Sequence, residues 1–159
     1  MGSFRHRIEH CSECPARLVK RLKALNAVVV TQPPFIYYSG ERYLATVPSP
    51  QIDYLYPFRS LVDAGLVVAG SSDSPVVPEN PLAGIYAAVM RKAQSGQPVL
   101  PDERVTPMQA LAMYTTSAAY AEFQEQEKGV LSPGKLADMV VLSGNPLKVP
   151  PEQIKDIRV

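Results

Sequence analysis

Apolar residues fall along this chain in short continuous runs, separated by stretches with helical spacing. "RIEH", Arg7 to His10, reads as a short strand, and Pro15 stands where a first helical turn begins. Leu18, Leu22 and Leu25 then form an apolar stripe, with Arg17, Lys20, Arg21 and Lys23 mainly on the other faces. Asn26 closes that helix. "AVVVT", Ala27 to Thr31, holds four apolar positions in a row, which suits a strand covered on both faces. These elements make one β-α-β unit.

Gln32 to Asp53 is rich in Tyr and Pro and reads as a long loop. Phe58, Leu61 and Val62 predict a short helix that stops at Gly65, and "LVVAG" (Leu66 to Gly70) predicts another strand. Leu82, Ile85, Tyr86, Val89, Met90 and Ala93 recur at helical spacing until Gly96. Thr106, Pro107 and Gln109 spell a capping box with proline at the first helical position, and the helix it opens runs through "QALAMYTTSAAYAEF". The period then changes. "GVL", a turn at Ser132 to Lys135, and "LADMVVL" predict a β-hairpin closed at Gly144-Asn145-Pro146, and Ile157 to Val159 begins one more strand. Three parallel strands leave two apolar sheet edges, so association through those edges, as a homo-oligomer, is expected.

Composition narrows the function classes. With 159 residues, 46% apolar and 19% charged, the chain is globular, with length for a real core. A net charge of +1 gives no electrostatic case for nucleic acid or a membrane surface. No run of 18 apolar residues occurs, and "MGSFRHRIEH" lacks the apolar stretch of a secretory signal, so a cytoplasmic location is expected. The 16 prolines cluster between apolar segments and mark rigid, ordered loops.

The candidate chemistry sits at strand tips. Parallel α/β sheets gather ligands and catalysts at the carboxyl ends of their strands, and His10 and Asp73 each close one. His6 lies four residues before His10, about 13 Å away along an extended strand, too far to share its first shell. Cys11 and Cys14 form a single C-x-x-C, a weak zinc signal without a second pair. A redox pair at a helix start is the alternative, and two small apolar residues beside a strand end is the bland reading. Ser71 and Ser72 lack the G-x-S-x-G elbow of a serine nucleophile. The tyrosines at 37, 38, 43, 54 and 56 suit packing of a long loop better than a carbohydrate surface.

The motifs "RHRIEH", "QPPF", "GSSDSPV", "NPLAGIYAAVMRK", "ALAMYTTSAAYA" and "KGVLSPGKLADMVVLSGNP" resemble, in order, those of the amidohydrolase superfamily, in the branch that includes N-substituted formamide deformylase. The resemblance runs from Arg5 to Val159. It implies an α/β fold: a partial (β/α)₈ barrel carrying strands six to eight over residues 4–125, then part of a small β-sandwich over 126–159. It implies metal-assisted hydrolysis of a carbon–nitrogen bond in a small amide-like substrate, with a divalent cation, zinc, as cofactor. His10 would be a metal ligand. Asp73 would contact the metal and take the proton of the attacking water. Gln32, Tyr38 and Arg59 would line the substrate pocket by position. The family's H-x-H pair and its strand-four and strand-five ligands have no counterpart here. The chain therefore resembles a C-terminal fragment of a protein roughly two to three times longer, inactive alone. The competing expectation is a non-catalytic, self-associating module.

Overall fold

The computed structural model describes residues 4–159. Its three strands are β1 (Arg7–Glu9), β2 (Val28–Thr31) and β3 (Val67–Gly70), all parallel, in spatial order β1-β2-β3. Between β1 and β2 runs α1 (Ala16–Ala24), with Pro15 at its N-cap and Val19 buried. Leu18 and Leu22 are half-buried, while Leu25 at the end of the expected stripe is exposed. The helix closes at Asn26, which takes a left-handed conformation (φ 50°) that Asn tolerates.

Between β2 and β3 the chain departs from the expected loop. Pro34–Thr46 is a helix, α2, with Pro34 in its first turn. Ile36, Gly40, Tyr43 and Leu44 follow helical spacing, but glycine and tyrosine hide that period in the sequence. Gly40 is the contact point: a Cβ there would lie 2.8 Å from the Ala93 Cβ and 2.9 Å from Val99 Cγ2. Next come a 3₁₀ turn at Gln51–Tyr54 and α3 (Phe58–Asp63), which ends at Gly65 (φ 74°) as the sequence predicts.

After β3, α4 (Pro81–Met90) buries every residue from Leu82 to Met90. It stops before the predicted Gly96, because Arg91 turns left-handed (φ 51°) and enters the core. The capping box forms as read: Thr106 accepts from the Gln109 amide at 3.2 Å, and Gln109 Oε1 accepts from the Thr106 amide at 2.8 Å. The expected single helix is two, α5 (Pro107–Met113) and α6 (Thr116–Ala121), broken at Thr115 (φ −128°, ψ −92°).

The register divides the sheet into two faces, since side chains alternate along each strand. Val29 and Val68 join the main core with Ile36, Phe58, Leu61 and Ile85. On the opposite face Val28 and Ala69 meet Ala121, with Val30, Val67, Ala118 and Tyr120 around them. We call this the inner face. Arg5 fixes α6 beneath the sheet, donating to the Tyr120 carbonyl (2.6 Å) and pairing with Glu125 (2.7 Å).

The predicted hairpin is absent among the described residues. From 129 to 142 the chain forms turns and extended segments without a ladder, and Met139, Val140 and Val141 are exposed. An isolated two-stranded hairpin is marginal in water, and nothing here packs on its apolar face. The closing segment is a 3₁₀ turn, Pro151–Asp156, whose Ile154 is buried. Beyond it Ile157 to Val159 form no strand, although Ser143 N–H donates to the Arg158 carbonyl at 2.9 Å.

Candidate active site

Both strand-tip residues stand at the same end of the sheet, on its two outer strands. His10 follows β1 directly and is exposed, with φ 64°. Asp73 lies three residues beyond β3, half-buried, with φ 56°. Left-handed conformations are uncommon outside glycine, although Asp and His are among the types that adopt them. Two of them at matching strand ends is the kind of outlier that gathers at functional sites. Serine hydroxyls hold the Asp73 turn: Ser71 Oγ accepts from the Asp73 amide and Ser72 Oγ from the Ser74 amide, each at 3.2 Å. The Asp73 carbonyl accepts from the Val76 amide at 2.9 Å.

A cavity of about 410 Å³ opens at this end of the sheet. Ser71, Ser72 and Asn80 line its rim, Arg7 and Glu9 one wall, and Tyr114 another. Arg7 and Glu9 pair at 2.8 Å, and the Asn80 carbonyl oxygen caps α4 by accepting from the Leu82 amide at 3.0 Å. The Tyr114 hydroxyl is buried and has no hydrogen-bond partner among the described residues. Burial pushes its phenol well above the ordinary tyrosine range, so it is a neutral hydrogen-bonding group.

Neither His10 nor Asp73 lines this cavity, and Gln32, Tyr38 and Arg59, the expected pocket residues, stand apart from it as well. Gln32 is buried at the carboxyl end of β2, with its Oε1 unpartnered among the described residues. Tyr38 is half-buried on α2, edge-on to Tyr37 with ring centres 5.0 Å apart. Arg59 is exposed on α3 and pairs with Asp63 at 3.2 Å. Arg7, Glu9 and Tyr114 are the cavity residues that sequence reasoning passed over. The strand alternation places the first two on one face, but nothing in the sequence says that α5 carries Tyr114 to β3.

Metal chemistry can be tested on the donor set. Among the described residues no three His, Cys, Asp or Glu side chains group so as to hold a metal ion. His10 and Asp73 alone do not complete a first shell. Cys11 and Cys14 do not supply the remainder. Cys14 is packed in the core, and burial beside Cys14 pushes the Cys11 thiol up to about 12, where it is a poor nucleophile and a poor ligand.

The chain as a whole is similar to known proteins. A model described as "Amidohydrolase family" matches residues 1–159. The chain belongs to the amidohydrolase family. It is 31% identical over 154 residues to the N-substituted formamide deformylase of Arthrobacter pascens, a match that covers 96% of this chain and 28% of that protein. Protein LONG AFTER FAR-RED 3 of Arabidopsis thaliana is 36% identical over 143 residues, covering 89% of this chain and 24% of the relative. Among solved structures, an uncharacterized metal-dependent hydrolase from Pyrococcus horikoshii superposes with a TM-score of 0.82 at 27% identity, over 94% of this chain and 31% of that one. The chain thus spans about a quarter to a third of the length of these relatives. No described helix is long and apolar enough to cross a membrane.

Proposed function

We propose that this chain is the portion of a metal-dependent hydrolase of carbon–nitrogen bonds that carries its sixth to eighth barrel strands, and that it acts on a small amide-like substrate. The family match over the whole chain carries this reading, and the placement of His10 and Asp73 at one end of a parallel sheet supports it. Asp73 accepts a proton from the attacking water and returns it to the departing amine, the shuttle a carboxylate performs in such hydrolyses. His10 and Asp73 would be two ligands of a divalent cation, zinc, which would polarise the amide carbonyl; the remaining ligands would have to come from outside this chain. The described donors do not fit that cation by themselves, so the chain alone catalyses no step through it.

Two assays test the reading. The chain by itself, with or without added zinc, turns over none of a panel of formamides and acetamides. Joined to the portion of the Bacillus subtilis relative that lies outside the matched 28%, it turns them over, and Asp73→Ala lowers kcat by at least about 100-fold, the scale of one lost acid–base group. Undiminished turnover in Asp73→Ala would sink the assignment.

A further inference from the structure

The C-x-x-C turn between β1 and α1 sets two thiols on the wall of one cavity. Cys11 follows His10 beyond β1 and is half-buried, whereas Cys14 precedes the Pro15 cap of α1 and is 2% exposed. Both line a cavity of about 310 Å³, with Ile8, Leu18 and Leu22 as its apolar wall. Cys11 packs against the core that contains Cys14, and the two side chains stand near enough to act on one another. The backbone holds them there. Cys14 N–H donates to the Tyr54 carbonyl (3.1 Å) and Tyr56 N–H to the Ser12 carbonyl (2.6 Å), which clips the turn to residues 54–56. Cys11 N–H donates to the Glu9 carbonyl (2.8 Å), with the residue left-handed at φ 49°.

The company of these thiols limits what they do. A thiolate metal site needs about four donors, and among the described residues no third His, Cys, Asp or Glu joins the pair. Neither sulfur is in a disulfide. The chemistry left to two adjacent thiols is with each other. A bond across so short a loop depends on whether the fold already holds both residues at bonding separation. The clipped turn and the shared wall supply that. Access is unequal, so a small reagent reaches Cys11 and not Cys14.

We infer that Cys11 and Cys14 form a reversible dithiol–disulfide pair, oxidised by exchange with low-molecular-weight disulfides of the glutathione type. Cys11 Sγ, as thiolate, attacks one sulfur of the small disulfide; that S–S bond breaks and one small thiolate leaves. Cys14 Sγ then attacks the Cys11 sulfur of the mixed disulfide, which forms the Cys11–Cys14 bond and expels the second small thiolate. The protein loses two electrons and two protons, and the small disulfide takes up both as two thiols. Cys11 directly follows His10, itself left-handed at φ 64°, so the new bond restrains the turn that carries His10. The pair rests on the fold of this turn and not on the hydrolysis proposed above.

Equilibration in mixtures of reduced and oxidised glutathione tests the pair. A mostly neutral thiol exchanges slowly at neutral pH, so the position of equilibrium is the measure and not a rate. After an acid quench, the tryptic peptide Ile8–Arg17 holds both cysteines, and its mass separates the dithiol, the internal disulfide and the glutathione adduct. The native chain is expected to pass from dithiol to internal disulfide in one step. Its midpoint should lie at a ratio of [GSH]² to [GSSG] at least about tenfold higher than in the urea-unfolded chain, because the fold holds the reacting groups together. Cys14→Ser should stop at the glutathione adduct on Cys11. An equal or lower midpoint in the native chain overturns the proposal, since the fold would then not favour the bond. A native chain that accumulates the adduct without closing, or that links to a second chain, overturns it as well.

Discussion

Arg91 brings a positive charge into the core without a salt bridge among the described residues, although the Glu103 carboxylate acts on it at longer range. Its guanidinium is fully buried and donates to the carbonyls of Val99 (2.9 Å), Tyr56 (2.9 Å) and Leu55 (3.2 Å), with its Cζ 4.9 Å from the Phe58 ring centre. Burial lowers its pKa to about 10, so it stays protonated at neutral pH. Three segments distant in sequence are tied through one side chain. Arg91→Met keeps the length and removes every donor, leaving the Val99 and Leu55 carbonyls unpaired while that of Tyr56 keeps the Phe58 amide; the expected loss is about 3 kcal/mol, read as a lower urea midpoint. A second residue-scale effect concerns pH. The Cys11 thiol ionises near 9.0 in an ordinary setting and near 12 here. Folding thus favours the neutral thiol, and its contribution is fully present below about pH 9 and lost as pH rises toward 12. Thermal melts from pH 7 to 11 should show Tm falling above about 9, with a smaller fall in Cys11→Ala.

Elements were legible in the sequence where the local signal was also the tertiary one. The apolar runs at 27–31 and 66–70 became β2 and β3, and the capping box opened α5 as read. α2 was hidden because its period is written partly in Gly40 and in tyrosines, residue types that read as loop. Gly40→Ala makes the point measurable. Alanine in a helix normally gains about 1 kcal/mol over glycine, but here its Cβ would meet Ala93 at 2.8 Å. A net loss of about 1–2 kcal/mol is expected from overpacking, seen as a lower urea midpoint. The hairpin failed for the opposite reason. "LADMVVL" has strand character, but strand character needs a face to cover, and among the described residues Met139, Val140 and Val141 stay exposed without one. Of the candidate site, only the positions of His10 and Asp73 beyond two strand ends could be read from the sequence, whereas the cavity walls depended on which helices close over the sheet.

At the scale of the whole molecule, a well-packed centre carries several uncovered apolar surfaces. Met139, Val140 and Val141 are 61%, 67% and 84% exposed, and they sit in a stretch with strand propensity and little charge. Such a segment drives self-association at high concentration. Val140→Lys should lower the apparent mass of concentrated samples in light scattering and leave the melting temperature within about 2 °C, since an exposed substitution changes stability little. The fold also decides how the molecule reports on itself. The sequence has eight tyrosines and no tryptophan, so its near-ultraviolet signal belongs almost wholly to phenol rings. Tyr114, asymmetric in its surroundings and wedged between Gly70 and Gly84, is an intrinsic optical label at the border of the sheet. The difference in that band between the native chain and Tyr114→Phe then reads the packing of α5 on β3 without any attached dye.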